Sequence, residues 1–364
     1  MAKKRSSRKT ISKEKGRSSP QQRAKAAARN RAHRKEKGQL IELVAQLCRS
    51  FKEPPPIDKK ERLPFLEMLF CLILKVYLQV SYRTLESFLD EMRKLNYITR
   101  VPFFNSFGNY MNSERLTNIF ERMIDKTGLV WRLKEIHAAI DSTKLFFPGY
   151  HQEKIKKGSK KGQKRWVRNY VRLHVIVDTE TYQVLTARVS ASYEDEKKFF
   201  GPLLRQAAQL YHILSIAGDK NYLSKVNIKI AEELGCKPYL YPKKNYKADP
   251  RKSPAWNSNL ERHREGTEED AKRIRQRRQI ETTFSMIKLR LSAELNSKKI
   301  EALINEALCL VICHNLRVRI FNREMYGTEV VFPPDDGCEA PLTAEPSTTS
   351  EPEPTGSRPD GGGL

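Results

Sequence analysis

The chain has 364 residues, room for one large domain and a smaller one, and its 68 Lys and Arg against 43 Asp and Glu leave a net charge of +25. Such a surplus sets aside an enzyme of small neutral metabolites and points to a polyanionic partner, nucleic acid before a membrane surface. The most apolar region, 63–80, is interrupted by Glu67, Lys75 and Gln79, which excludes a membrane-spanning segment there.

Residues 1–38 hold fifteen Lys or Arg against two acids and almost nothing to bury. They read as a disordered basic tail able to wrap a phosphate backbone, and they lack the apolar core of a signal peptide, so the protein is expected to stay in the cytoplasm. Residues 39–130 read as a small all-α region. Within it, 63–80 has a broad apolar face, and Ser81 is placed to cap a helix over 82–95 with Leu85, Phe88 and Leu89 facing in. Helical patterning continues over 105–110 and 113–124. Two readings fit: a helix-turn-helix-like DNA reader using Arg83, Arg93, Lys94 and Arg100, or a helical bundle supporting the next domain.

At His137 the texture changes to strands. An apolar run leads into Asp141, and 170–177 and 184–190 alternate around Asp-Thr-Glu-Thr, a hairpin turn. An amphipathic helix over 194–211 is followed by the buried strand Ile-Leu-Ser-Ile-Ala-Gly, which ends at Asp219. A helix over 225–234 and the strand Pro-Tyr-Leu-Tyr-Pro come next. This order predicts an α/β fold over 131–325, a mixed sheet flanked by helices. Residues 243–270, basic and proline-containing, read as a loop, and 300–319 as a closing amphipathic helix. The six cysteines show no CxxC framework, which suits a reducing compartment. Cys309, Cys313 and His314 fall in an apolar run without a second ligand pair, so they read as core rather than zinc ligands. From 333 to 364 Pro, Glu, Ser, Thr and Gly predominate, and a disordered tail is expected.

The stretch 273–291 contains no Gly or Pro and reads as one helix, with Ile280, Phe284, Ile287 and Leu291 as its buried stripe. Arg277, Glu281 and Lys288 share another face. This is either a solvated surface laced with ion pairs or a metal-binding glutamate whose neighbouring cations hold a polyanion. Asp141 and Asp219 share a context, since each closes an apolar strand where α/β sheets commonly carry active sites. Asp178 and Glu180 are explained by their turn, and Glu194, Asp195 and Glu196 by a helix N-terminus.

The run Arg-Arg-Gln-Ile-Glu-Thr-Thr-Phe-Ser-Met-Ile-Lys resembles the closing signature of DDE transposases from prokaryotic insertion sequences, in the four/five superfamily with the Tyr-Arg-Glu-Lys pattern. Arg277, Glu281 and Lys288 fit its spacing. Ile274 stands at the tyrosine position, and Asn221 stands where the second aspartate motif usually has Gly. The resemblance implies a ribonuclease H-like core. It implies Asp141, Asp219 and Glu281 as catalytic ligands of two Mg²⁺ (or Mn²⁺) ions, with Arg277 and Lys288 on flanking phosphates. It also implies a homodimer in a synaptic complex with element ends and target DNA, in the nucleoid of a prokaryote.

The segment 154–172 adds nine Lys or Arg and no acid. Lys160, Lys161, Lys164, Arg165 and Arg168 are candidate phosphate contacts, and Trp166 is a candidate base-stacking residue. The alternative is a solvated turn with Trp166 folded onto the core. Two rival functions fit the same residues: a non-catalytic DNA-binding derivative of such an enzyme, and a stand-alone metal-dependent nuclease.

Overall fold

The computed structural model describes residues 19–55, 63–154, 162–191, 194–243 and 253–334. Helices come first: α1 (Pro20–Arg49), α2 (Phe65–Leu78), α3 (Tyr82–Lys94), α4 (Phe104–Met111) and α5 (Glu114–Gly128). Strands β1 (Glu135–Lys154), β2 (Lys164–Asp178) and β3 (Val184–Ala191) follow. Then come α6 (Lys197–Leu210), β4 (His212–Gly218), α7 (Lys225–Glu233) and β5 (Lys237–Leu240). The closing helices are α8 (Pro254–Glu265), α9 (Glu268–Gln276), α10 (Arg278–Arg290) and α11 (Ile300–Tyr326).

The strands form one sheet in the order β3-β2-β1-β4-β5. β1, β2 and β3 are an antiparallel meander, while β4 and β5 run parallel to β1. This is the mixed, helix-flanked sheet of a ribonuclease H-like fold. The turn between β2 and β3 is closed by Asp178, whose carboxylate accepts from the Glu180 backbone (3.0 Å) and the Thr181 hydroxyl (2.6 Å). Side chains alternate along β1 and β2. Ala139, Val171, Leu173, Val175 and Val177 enter one core with α1, α2, α5, α10 and α11, and Ala138, Ile140 and Ile176 enter the other with α6, α7 and α8.

α11 is the axis of the first core. It is buried along most of its length and packs on α1, α2, α5 and β3. Cys309, Cys313 and His314 lie in its buried stretch, and the His314 Nε2 is 2.9 Å from the Tyr182 carbonyl oxygen. Lys75, which interrupts the apolar run of α2, meets Glu306 of α11 at 3.0 Å. Glu306 also accepts the backbone N–H groups of Asn296 and Ser297, so the buried carboxylate is fully engaged. No single helix among the described residues is long and apolar enough to cross a membrane.

The fold departs from the sequence expectations at three helical segments. The basic tail expected through residue 38 is helical from Pro20 onward, and its first eighteen residues lie outside the described ones. A Ser19–Gln22 capping box starts α1, Ala28 and Ala32 give it a buried edge, and Arg31 and Lys35 both reach Glu324 at the end of α11. The loop expected over 243–270 contains α8 and the start of α9. Ser253 caps the first with Pro254 at its opening position, and Thr267 and Asp270 form a capping box for the second. The single helix expected over 273–291 is interrupted at Arg277, where the N–H groups of Arg277 and Ile280 bond three residues back instead of four. Its predicted stripe is nonetheless inward: Ile280, Phe284 and Ile287 are buried, with Leu291 packed beside them.

Candidate active site

The parallel ladder between β1 and β4 ends at the pair Ile140–Gly218. The next residue on each strand is a carboxylate, Asp141 and Asp219. β4 stops there, whereas β1 runs on as a hairpin with β2, so Asp141 closes the β1–β4 ladder and not β1 itself. A Cβ at Gly218 would lie 2.8 Å from Leu240 and 3.0 Å from Ile140, so glycine lets the three strands close together below the two aspartates.

Past Ile140, the outer edge of β1 lacks a neighbour strand until Phe146, which exchanges hydrogen bonds with Ala293 and Leu295. An open cleft of about 440 Å³ occupies this gap, bordered by Asp141, Lys144, Arg172, Glu196, Asn221 and Lys288.

One guanidinium ties the third carboxylate to the first. Arg277 donates through Nη1 to Asp141 (3.3 Å) and through Nη2 to Glu281 one turn later (2.9 Å). The Ser142 N–H also donates to Asp141 at 2.8 Å. Burial pushes the Asp141 carboxyl up to about 6. The Ser142 N–H and Arg277 oppose that shift, and the like charges of Asp219 and Glu281 add to it. Asp219 is half-buried, while the Glu281 side chain is 57% exposed. Lys288 is half-buried, has no ion-pair partner among the described residues, and burial lowers its pKa below the ordinary lysine value.

The carboxylates do not form a ready cage. Among the described residues no three His, Cys, Asp or Glu side chains are gathered as metal ligands. Asp141 and Glu281 meet instead on Arg277, and Asp219 follows the last ladder pair on β4 as Asp141 does on β1. Their chemistry still suits a hard divalent cation, because carboxylate oxygens are the donors such an ion takes, and Asp141 and Glu281 already share one counter-charge in Arg277.

The other expected contacts lie along β1 and β2. Beyond a register irregularity between Phe146 and Tyr150, the two strands continue as an arm. Lys164 and Arg165 are exposed on it, and so are Trp166 (68%) and Tyr150 (65%), so the indole is not folded onto the core. Arg168 is engaged at the base of the arm, bonded to Glu294 at 3.0 Å and 5.2 Å from the Phe146 ring centroid. Tyr170 is buried under Lys144, whose Nζ is 3.8 Å from its ring centroid. Lys160 and Lys161 lie outside the described residues. Of the cleft residues, sequence reasoning did not single out Lys144, counted Arg172 only among the basic residues of 154–172, and read Glu196 as a helix N-terminal acid. Glu196 is not simply a helix-dipole acid, since it pairs with Arg172 and accepts from the Asn221 amide at 3.2 Å.

The transposase DDE domain model matches residues 132–316, from just before β1 into α11. The chain belongs to the transposase DDE domain family. No curated protein matches it. The match encloses the whole sheet, Asp141, Asp219 and Glu281, and leaves α1 to α5 outside. The protein is therefore a transposase whose catalytic-domain fold and family agree, and DNA is the partner that family implies.

Proposed function

We propose that this transposase cuts the ends of a prokaryotic insertion sequence and joins the freed 3′-hydroxyls to target DNA, acting as a homodimer that holds both ends. The arrangement that carries the reading is the Asp141–Arg277–Glu281 chain beside Asp219. Water attacks phosphorus at each end and a 3′-hydroxyl leaves. That hydroxyl then attacks a target phosphodiester, and the target's own 3′-oxygen departs, so no protein-linked intermediate is needed. Asp141, Asp219 and Glu281 would hold two Mg²⁺ or Mn²⁺ ions, which when bound offset charge on the attacking and leaving oxygens.

The remaining roles belong to the chain's own side chains. Lys288 binds a phosphate beside the scissile bond, since a half-buried cation without a carboxylate partner is satisfied by an anion. Arg277 neutralises Asp141 and Glu281 until DNA and cations arrive, and it is then free to bind a flanking phosphate. Lys164 and Arg165 contact backbone along the arm, and the Trp166 and Tyr150 rings offer stacking faces to unpaired bases.

The test is Glu281→Gln, which keeps size and helix propensity but removes one charge at an exposed position. Gel shift on a labelled end should show binding at least as tight as in the parent. Mg²⁺-dependent nicking and strand joining on the same duplex should fall by about two orders of magnitude or more. Undiminished nicking would return Glu281 to a surface ion pair, and nicking by the parent without any joined product would favour a nuclease.

A further inference from the structure

Asp219 lies on a tight turn held on its buried side by the backbone and Tyr222 and on its open side by Asn221. The Tyr222 N–H donates to the Asp219 carbonyl at 2.9 Å, and the Tyr222 ring is fully buried against Phe200 of α6. On the open side of the turn, the Asn221 amide donates to Glu196 at 3.2 Å, and Glu196 is in turn paired with Arg172 of β2. The Glu196 and Arg172 side chains are 14% and 18% exposed, so this ion pair is largely shielded, whereas Asn221 itself is exposed. The three residues thus link β2, the start of α6 and the Asp219 turn across one wall of the cleft.

We propose that Glu196 is a positioning residue for Asp219, acting through Asn221 with Arg172 as its anchor. The inference rests on the reading of Asp219 as a metal-binding carboxylate. The far end of the turn is fixed, since the Tyr222 carbonyl accepts from the Asn227 amide at 2.8 Å and Leu223 is buried, whereas on the open side the Asn221–Glu196 contact is what limits its motion. A misplacement of about 1 Å at a reacting centre can cost on the order of a hundredfold in rate. The tether also gives Asn221 a function that glycine at that position would not supply.

Three variants of the full-length protein test it: Glu196→Ala, Glu196→Gln and Asn221→Ala. Mn²⁺ affinity without DNA is read by titration calorimetry, and nicking of a labelled end by steady-state kinetics. Both alanine variants should weaken Mn²⁺ binding and lower kcat about tenfold or more while the KM for DNA stays within about twofold, because the tether orients a ligand and does not touch DNA. Glu196→Gln keeps an acceptor for the Asn221 amide and should recover part of both losses. The double alanine variant should be no worse than either single one. Asn221 is exposed, so its replacement leaves the fold intact even if loss of Glu196 destabilises the cleft. Parental Mn²⁺ affinity and kcat in Asn221→Ala would overturn the proposal. Asp219→Asn separates the two ideas: if it binds Mn²⁺ as the parent does, the metal-site reading itself falls, and this inference with it.

Discussion

Asp141 answers to burial, to Arg277 and to two like charges at once, and burial prevails. Its carboxyl sits near 6 in the fold against an ordinary 3.8, so folding favours the protonated form. That contribution to stability is whole below pH 3.8 and is gone once the pH has risen through 6, where the fold must carry the charge. Asp141→Asn should therefore stabilise the metal-free protein on the order of 1–3 kcal/mol at about pH 8 and leave it nearly unchanged at about pH 4, read by thermal unfolding. Cation binding by the parent should strengthen as pH rises through about 6, since a protonated carboxyl is a poor ligand. The place of Asp219 at the end of β4 and the Arg277–Glu281 pair were legible in the sequence because a strand end and i,i+4 spacing are local patterns. Asp141 was expected at a strand end too, but its apolar run reveals only where the β1–β4 ladder stops, and β1 itself runs on beside β2. Glu196 was not legible. An acid at the start of a helix already has a local explanation, and its partner Asn221 lies 25 positions away.

Two helices bind the sheet through the same device. The Asn315 amide of α11 accepts from the Val184 N–H (3.0 Å) and donates to the Val184 carbonyl (2.8 Å), mimicking a neighbour strand. Asn259 of α8 does the same for Leu240 on the edge strand β5, at 2.9 and 3.0 Å. Both asparagines are completely buried. Asn259→Ala should cost about 2–4 kcal/mol in urea unfolding, because it strands a buried N–H and a buried carbonyl. A loss below about 0.5 kcal/mol would show that water or a shifted α8 satisfies them. α8 escaped the sequence reading because Ala255, Trp256 and Leu260 make too short a stripe to stand out among charges. Its opening Ser253-Pro254 pair and the following Thr267–Asp270 box were the available signals. The long, strongly periodic elements were readable throughout, from α2 and α6 to α11.

At the scale of the molecule, what the sequence withheld was which faces meet. Periodicity reveals that a helix buries one side, and not what it buries that side against. So α1 to α5 read as a region of their own, while in the fold α1, α2 and α5 share one core with α11 and a face of the sheet. The charge, by contrast, was plain. Residues 1–18 carry eight Lys or Arg against one Glu, a net of +7, and their removal spares α1. That truncation should flatten the slope of log affinity against log salt by several units, while the preference for element ends stays largely intact. An unchanged slope, measured by fluorescence anisotropy, would show that these residues do not touch DNA. The central place of α11 also bears on how the protein is made. Its partners α1, α2 and α5 begin at residues 20, 65 and 114, leave the ribosome well before α11 begins at residue 300, and have no axis to close around until it follows. A nascent chain cut short before α11 would expose the apolar surfaces meant for it and meet proteases before it met DNA. Only a chain translated through that helix can become a folded transposase.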